Sequence, residues 1–145
     1  MIAKSDMPSI NEKDPDGKKP DGGSYRVLII DDSMFIAKQL GQILTSEGFE
    51  IAGTASDGMQ GLEKYKELFP NVDLVTMDIT MPVMDGVSAL EKILQFDKNA
   101  SVIMVSALGK QDLVKDALIK GAKNYIVKPL DREKVLERVL MSLKK

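Results

Sequence analysis

With 145 residues, a formal net charge of −2, a hydrophobic share of 43% and a charged share of 29%, the chain has the make-up of one soluble globular domain with a substantial core. That balance excludes a global field that would draw nucleic acid or an anionic membrane. The absence of Cys and His excludes disulfides, thiolate and imidazole metal sites and histidine general bases, so any bound metal has the oxygen ligands that magnesium, manganese or calcium take.

The chain opens with Met1-Ile2-Ala3-Lys4-Ser5-Asp6, which lacks the apolar region of a signal peptide. No apolar stretch approaches the ~20 residues of a membrane span, so membrane insertion is not expected and a cytoplasmic protein is. Residues 1–24 hold Pro8, Pro15 and Pro20, a repeated Pro-Asp-Gly turn signal and no hydrophobic period. They read as a flexible, solvated N-terminal tail. Residues 25–145 then alternate strand and helix patterns. Strands are predicted at 26–31, 50–55, 73–78, 101–106 and 123–127, and helices at 33–47, 58–69, 86–97, 110–120 and 131–143. The first, third and fourth strands are nearly continuous apolar runs, as when helices cover both faces of a sheet. The second, Glu50-Ile51-Ala52-Gly53-Thr54-Ala55, is weaker and is expected at an edge. Gly48 and Gly121 fall where helix C-caps belong, Asp57 with Gln60 suits an N-terminus, and Pro70 stops the second helix. In the last helix, Val135, Leu136, Val139, Leu140 and Leu143 form one apolar stripe. Five such repeats predict an α/β fold: a doubly wound five-stranded parallel sheet, flavodoxin-like, with strand order 2-1-3-4-5.

In such a sheet, ligands bind beyond the carboxyl ends of the strands. Asp31 and Asp32 follow the first strand, Asp78 the third, Ser106 the fourth and Lys128 the fifth. An acid pair, a further acid, a hydroxyl and an ammonium thus converge on one edge. Three crowded carboxylates repel unless a divalent cation joins them. Two unit charges 4 Å apart cost ~4 kcal/mol at an effective dielectric of 20. The hydroxyl and the lysine would suit a phosphoryl group. Taken singly, each residue has a plainer role: Asp32 or Ser33 as the cap of the first helix, Asp78 and Ser106 as loop caps, Lys128 as a solvated charge and Tyr125 as strand packing.

Asp31-Asp32, the segment Met77-Asp78-Ile79-Thr80-Met81-Pro82-Val83-Met84-Asp85-Gly86, Ser106-Ala107 and Tyr125-Ile126-Val127-Lys128-Pro129 occur in one order and resemble the receiver domains of two-component response regulators. The resemblance covers Tyr25 to Lys145. It implies that Asp78 is the phosphoacceptor, a carboxylate that attacks phosphorus to form an acyl phosphate. It implies Mg²⁺ held by Asp32 and Asp78 directly, by Asp31 mainly through water, and by the backbone carbonyl of Thr80. It further implies that Ser106 hydrogen-bonds a phosphoryl oxygen, that Lys128 pairs with the phosphate or the acceptor, that Tyr125 is the switch aromatic, and that the Lys128–Pro129 bond is cis. Thr80 and Leu108 depart from the enteric chemotaxis pattern, which carries Asn and Glu there. Both positions bear on phosphoryl lifetime and phosphatase access.

Because the chain ends with the fifth helix, a stand-alone chemotaxis regulator is expected: a signalling protein and a monomer. The implied partners are a histidine kinase, a flagellar motor switch protein bound on the face of the fourth helix, fifth strand and fifth helix, and a phosphatase. A stand-alone phosphorelay intermediate and, less well supported, a small-molecule acyl-phosphate hydrolase remain as alternatives. Hydrolases of the haloacid dehalogenase type place an Asp-x-Asp motif after the first strand and carry a cap insertion, whereas this chain has adjacent aspartates there. A flavin module would need a Ser/Thr/Gly-rich phosphate loop where Asp31-Asp32-Ser33 stands.

Overall fold

The computed structural model describes residues 15–143. Ten elements alternate along them: β1 Arg26–Ile30, α1 Met34–Thr45, β2 Glu50–Ala55, α2 Gly58–Leu68, β3 Leu74–Asp78, α3 Gly86–Phe96, β4 Val102–Ser106, α4 Gln111–Lys120, β5 Asn124–Val127 and α5 Arg132–Leu143. The five strands pair in parallel, in the order β2-β1-β3-β4-β5. The predicted fold class and strand order are those observed, and the weak second strand lies at an edge. Helix and strand ends shift by one or two residues from the sequence reading. The first helix is the clearest case: Ser33 caps it, its Oγ accepting from the Ile36 amide, so the helix proper begins at Met34.

Side-chain alternation along each strand splits the core into two layers. Leu28, Ile30, Val75, Met77, Val102 and Met104 pack with Leu62, Leu90 and Ile93 beneath α2 and α3. Val27, Ile29, Leu74, Ile103, Val105 and Ile126 pack with Leu40, Leu44, Val135 and Val139 beneath α1 and α5. Each fully buried aliphatic side chain contributes roughly 1.5–3 kcal/mol. The central strands β1, β3 and β4 are thereby clamped from both sides, and these strands carry the acidic residues and Ser106.

One residue interrupts the second layer. Thr76 lies between Ile29 and Ile103 in the sheet register, buried, and its hydroxyl has no hydrogen-bond partner among the described residues. A buried hydroxyl without a partner costs on the order of 1–3 kcal/mol. Thr76→Val should therefore raise stability by about 1 kcal/mol, seen as a higher denaturant midpoint at unchanged slope. A midpoint equal to or below the wild type would show that the hydroxyl is satisfied.

The expectation of a flexible tail over residues 1–24 needs correction for residues 15–24; residues 1–14 lie outside the described residues. Gly17 is buried, its amide donates to the Glu47 carbonyl at 2.7 Å, and its own carbonyl accepts from the Tyr25 amide at 2.8 Å. Lys18 bridges Ser24 in an antiparallel turn, and Lys19 pairs with Asp73 at 3.3 Å while its ammonium lies 5.6 Å from the Tyr25 ring centroid. A side chain could not replace the glycine, because a Cβ at Gly17 would stand 2.2 Å from the Phe49 nitrogen. Backbone hydrogen bonds and a close approach at glycine hold this segment, so hydrophobic periodicity gave no sign of it.

Candidate functional site

The turn after β1 presents two carboxylates differently. Asp31 is buried; its amide donates to Ala55 and its Oδ1 accepts from the Ser33 amide at 2.9 Å. Asp32 is exposed at the mouth. Asp78, the last residue of β3, is buried beside them. One carboxylate oxygen from each of the three lies within 4.8 Å of the others. Lys128 reaches over from the end of β5, its Nζ 3.4 Å from Asp78 Oδ1 and 3.5 Å from Asp31 Oδ2. The Lys128 amide donates to the Ser106 carbonyl at 2.7 Å, and the Lys128–Pro129 peptide is cis as expected.

Burial is the main reason that the Asp78 carboxyl is pushed up from 3.8 to about 7; the Asp31 charge and a hydrogen bond with Asp32 add to it, and Lys128 opposes it. Burial also raises Asp31, against the pull of the Ser33 amide and of Lys128. One ammonium thus serves two carboxylates while a third stands close by. Asp31 Oδ2 is buried and accepts no hydrogen bond. A buried carboxylate oxygen met only by the Lys128 ammonium at 3.5 Å, two further carboxylates within reach and an all-oxygen donor set fit a hard divalent cation.

The other predicted residues are placed as follows. Ser106 is buried at the end of β4, and its hydroxyl donates to the Ala107 carbonyl at 3.1 Å, away from Asp78. Thr80 is exposed two residues past Asp78 and lines the groove between α3 and α4 with Asp85, Ser88 and Lys110. Tyr125 sits one strand further out, half-buried and in register with Met104. The structure therefore gathers Asp31, Asp32, Asp78 and Lys128 into direct electrostatic contact. Ser106 stands buried at the end of the neighbouring β4, Thr80 exposed in the turn after β3, and Tyr125 on β5 beyond Ser106.

Two supporting features were not legible in the sequence. The turn after β3 is pressed onto the end of that strand at Gly86, whose amide donates to Ile79 and where a Cβ would meet the Asp78 carbonyl oxygen at 2.1 Å. Asp85 caps α3 by accepting from the Ser88 amide, which starts the helix immediately after this contact. The second feature is Asn124 with Arg138, which packs against Tyr125. Polar residues in a strand and on a helix's outer stripe gave no reason to join them.

Comparison with known proteins adds to this geometry. The family profile for the response regulator receiver domain matches residues 27–140. A chemotaxis protein CheY of Treponema pallidum is 68% identical over 144 residues, covering 99% of this chain and 100% of that protein. The chemotaxis protein CheY of Bacillus subtilis is 49% identical over 120 residues, covering 83% and 98%. Among solved structures, the CheX–CheY–BeF3–Mg²⁺ complex from Borrelia burgdorferi contains a chain 60% identical to this one, with a TM-score of 0.88 and coverage of 92% and 100%.

Proposed function

The chain belongs to the response regulator receiver domain family, and from that premise we propose that it is a phosphorylation-controlled chemotaxis switch, with Asp78 as phosphoacceptor. Members of this family act as signalling proteins. The observation that carries the assignment is the acceptor's setting: Asp78 is buried within 4.8 Å of Asp31 and Asp32 and touched by Lys128. A structural aspartate at a strand end has no need of two more carboxylates and a shared lysine.

A histidine kinase is the proposed donor. An Asp78 carboxylate oxygen attacks the phosphorus of a phosphohistidine; the P–O bond forms, the P–N bond breaks, and the imidazole leaves with the electron pair. Asp31, Asp32 and Asp78, with the Thr80 carbonyl, would hold Mg²⁺, which supplies charge neutralisation for the incoming phosphoryl group. Lys128 then offers its ammonium to a phosphoryl oxygen from its present place beside Asp78. The Ser106 hydroxyl turns from Ala107 to another of those oxygens. The Mg²⁺ and BeF3 carried by the Borrelia relative support both assignments.

Output goes through the face of α4, β5 and α5, where a flagellar motor switch protein is the proposed target. A phosphatase is the third proposed partner, and the CheX bound in the Borrelia complex supports a partner of that kind for this chain. No described helix is long and apolar enough to cross a membrane; a cytoplasmic place of work is proposed from the kinship with chemotaxis regulators.

Intact-mass measurement with acetyl phosphate and Mg²⁺ should show one labile phosphoryl group. Asp32→Ala should stay folded yet lose most Mg²⁺ affinity by calorimetry and most phosphoryl uptake. Unchanged Mg²⁺ affinity in that variant would remove the cation from the acid cluster. Beryllofluoride-loaded protein should retain flagellar switch components that untreated protein does not; recovery of a phosphotransfer protein alone would favour a relay.

A further inference from the structure

Tyr125 has space on both sides. Towards α4 lies a cavity of about 240 Å³ lined by Ser106, Val114, Leu118 and the ring itself. Towards α5 lies another of about 400 Å³, lined by the ring with Pro129, Lys134 and Arg138. The first holds several times the ~30 Å³ that one water occupies. The ring packs against the core layer beneath α2, α3 and α4 on part of its surface, yet it borders open space into which it can turn, so a further contact can bias its position.

Arg138 is the group in place to do so. Its guanidinium lies 5.0 Å from the Tyr125 ring centroid, within cation–π range. That guanidinium is itself tethered: Nη1 donates to the side-chain oxygen of Asn124 at 3.0 Å. The same oxygen accepts from the Tyr125 amide at 2.9 Å. Asn124 is buried, so the tether sits on a fixed point of the strand. Ser142, one turn on, donates to the Arg138 carbonyl at 2.9 Å and ties the helix backbone there.

We propose that Arg138, aimed by Asn124, is a positioning residue that reaches around the edge of the sheet and holds the Tyr125 ring in its observed place at that edge. It thereby sets how often the ring occupies the cavity beside Ser106. A ring moving into that cavity travels towards α4, away from α5. The guanidinium cannot follow, because its bond to Asn124 anchors it to the strand. Each inward excursion therefore forfeits the stack. For an exposed cation–π contact the forfeit corresponds to about a two- to fivefold bias against the inward position. The proposal rests on the reading of Tyr125 as the switch aromatic. Linkage then carries the same factor to the target: losing the stack raises basal affinity for the partner by as much as it raises the inward population.

The test uses the full chain labelled with 3-fluorotyrosine, with the Tyr125 signal assigned by Tyr125→Phe. Fluorine spectra of wild type, Arg138→Lys and Arg138→Met would be recorded without additives and with beryllofluoride and Mg²⁺. Arg138→Met should raise the inward population of the untreated protein about two- to fivefold, and Arg138→Lys, which keeps a cation, should raise it less. A lower melting temperature with an unchanged population would make Arg138 merely structural and overturn the proposal. If beryllofluoride leaves the wild-type Tyr125 signal in place, the switch reading fails instead. If beryllofluoride moves the ring while Arg138→Met leaves the untreated population unchanged, the switch stands and the role of Arg138 falls.

Discussion

Asp78→Asn should melt well above wild type at pH 8 in the presence of a chelator, and the gap should close when Mg²⁺ is added. The Asp78 carboxyl titrates at about 7 in the fold against 3.8 for an ordinary aspartate. A proton held more tightly in the folded state stabilises it fully below the unfolded value. That contribution is lost as pH rises through about 7. The difference corresponds to on the order of 4 kcal/mol at pH 8, against a total stability of roughly 5–15 kcal/mol for a domain. Asparagine carries no charge, so the variant's stability should fall less than the wild type's between pH 4 and 8, the remaining slope coming from the raised Asp31 carboxyl. Lys128 keeps Asp31 as a partner in the variant. A melting temperature that falls in Asp78→Asn, or a wild-type curve flat over this range, would show that the acid cluster is not strained. The same variant should take up no phosphoryl group by intact mass.

Removal of residues 1–24 should lower the melting temperature relative to a chain beginning at Pro15 while leaving phosphoryl uptake intact. The longer truncation takes away the Gly17 amide from Glu47, the Gly17 carbonyl from Tyr25 and the Lys19 ion pair with Asp73. Two to three hydrogen bonds at ~1 kcal/mol each, less the ordering of a short turn, leave about 2 kcal/mol. In a domain of this size that is a fall of roughly 5–10 °C. The acid cluster lies at the other end of β1, five residues away, or ~17 Å at strand spacing. Equal melting temperatures for chains beginning at Pro15 and Tyr25 would mean that the turn adds nothing to stability.

These two predictions mark where the sequence was informative and where it was silent. Val27–Ile30, Leu74–Met77 and Val102–Val105 are apolar runs bounded by charged or small residues. Period and position therefore gave the central strands and put Asp31, Asp78 and Ser106 at their ends. The burial difference between Asp31 and Asp32 was not legible, since adjacent aspartates look alike until one of them bonds back to the Ser33 amide. Nor was the Gly17 turn, where backbone groups make the contacts. Thr76 reads as an ordinary strand residue because threonine suits a pleated surface, and only its neighbours Ile29 and Ile103 show that its hydroxyl is stranded. Arg138 and Asn124 lie 14 positions apart on consecutive elements and meet only after α5 folds back on β5.

The two outer strands bear on how the protein behaves when crowded. A sheet edge offers unpaired amides and carbonyls on which another chain can build. Here β2 breaks register with β1 between Val27 and Leu28, where Ile51 and then Gly53 become the successive partners. At the opposite side β5 has only four residues and runs at once into Lys128 and Pro129. A bent margin and a short, proline-ended one are poor templates for strand addition. Both borders of the sheet therefore disfavour the edge-to-edge addition of another strand.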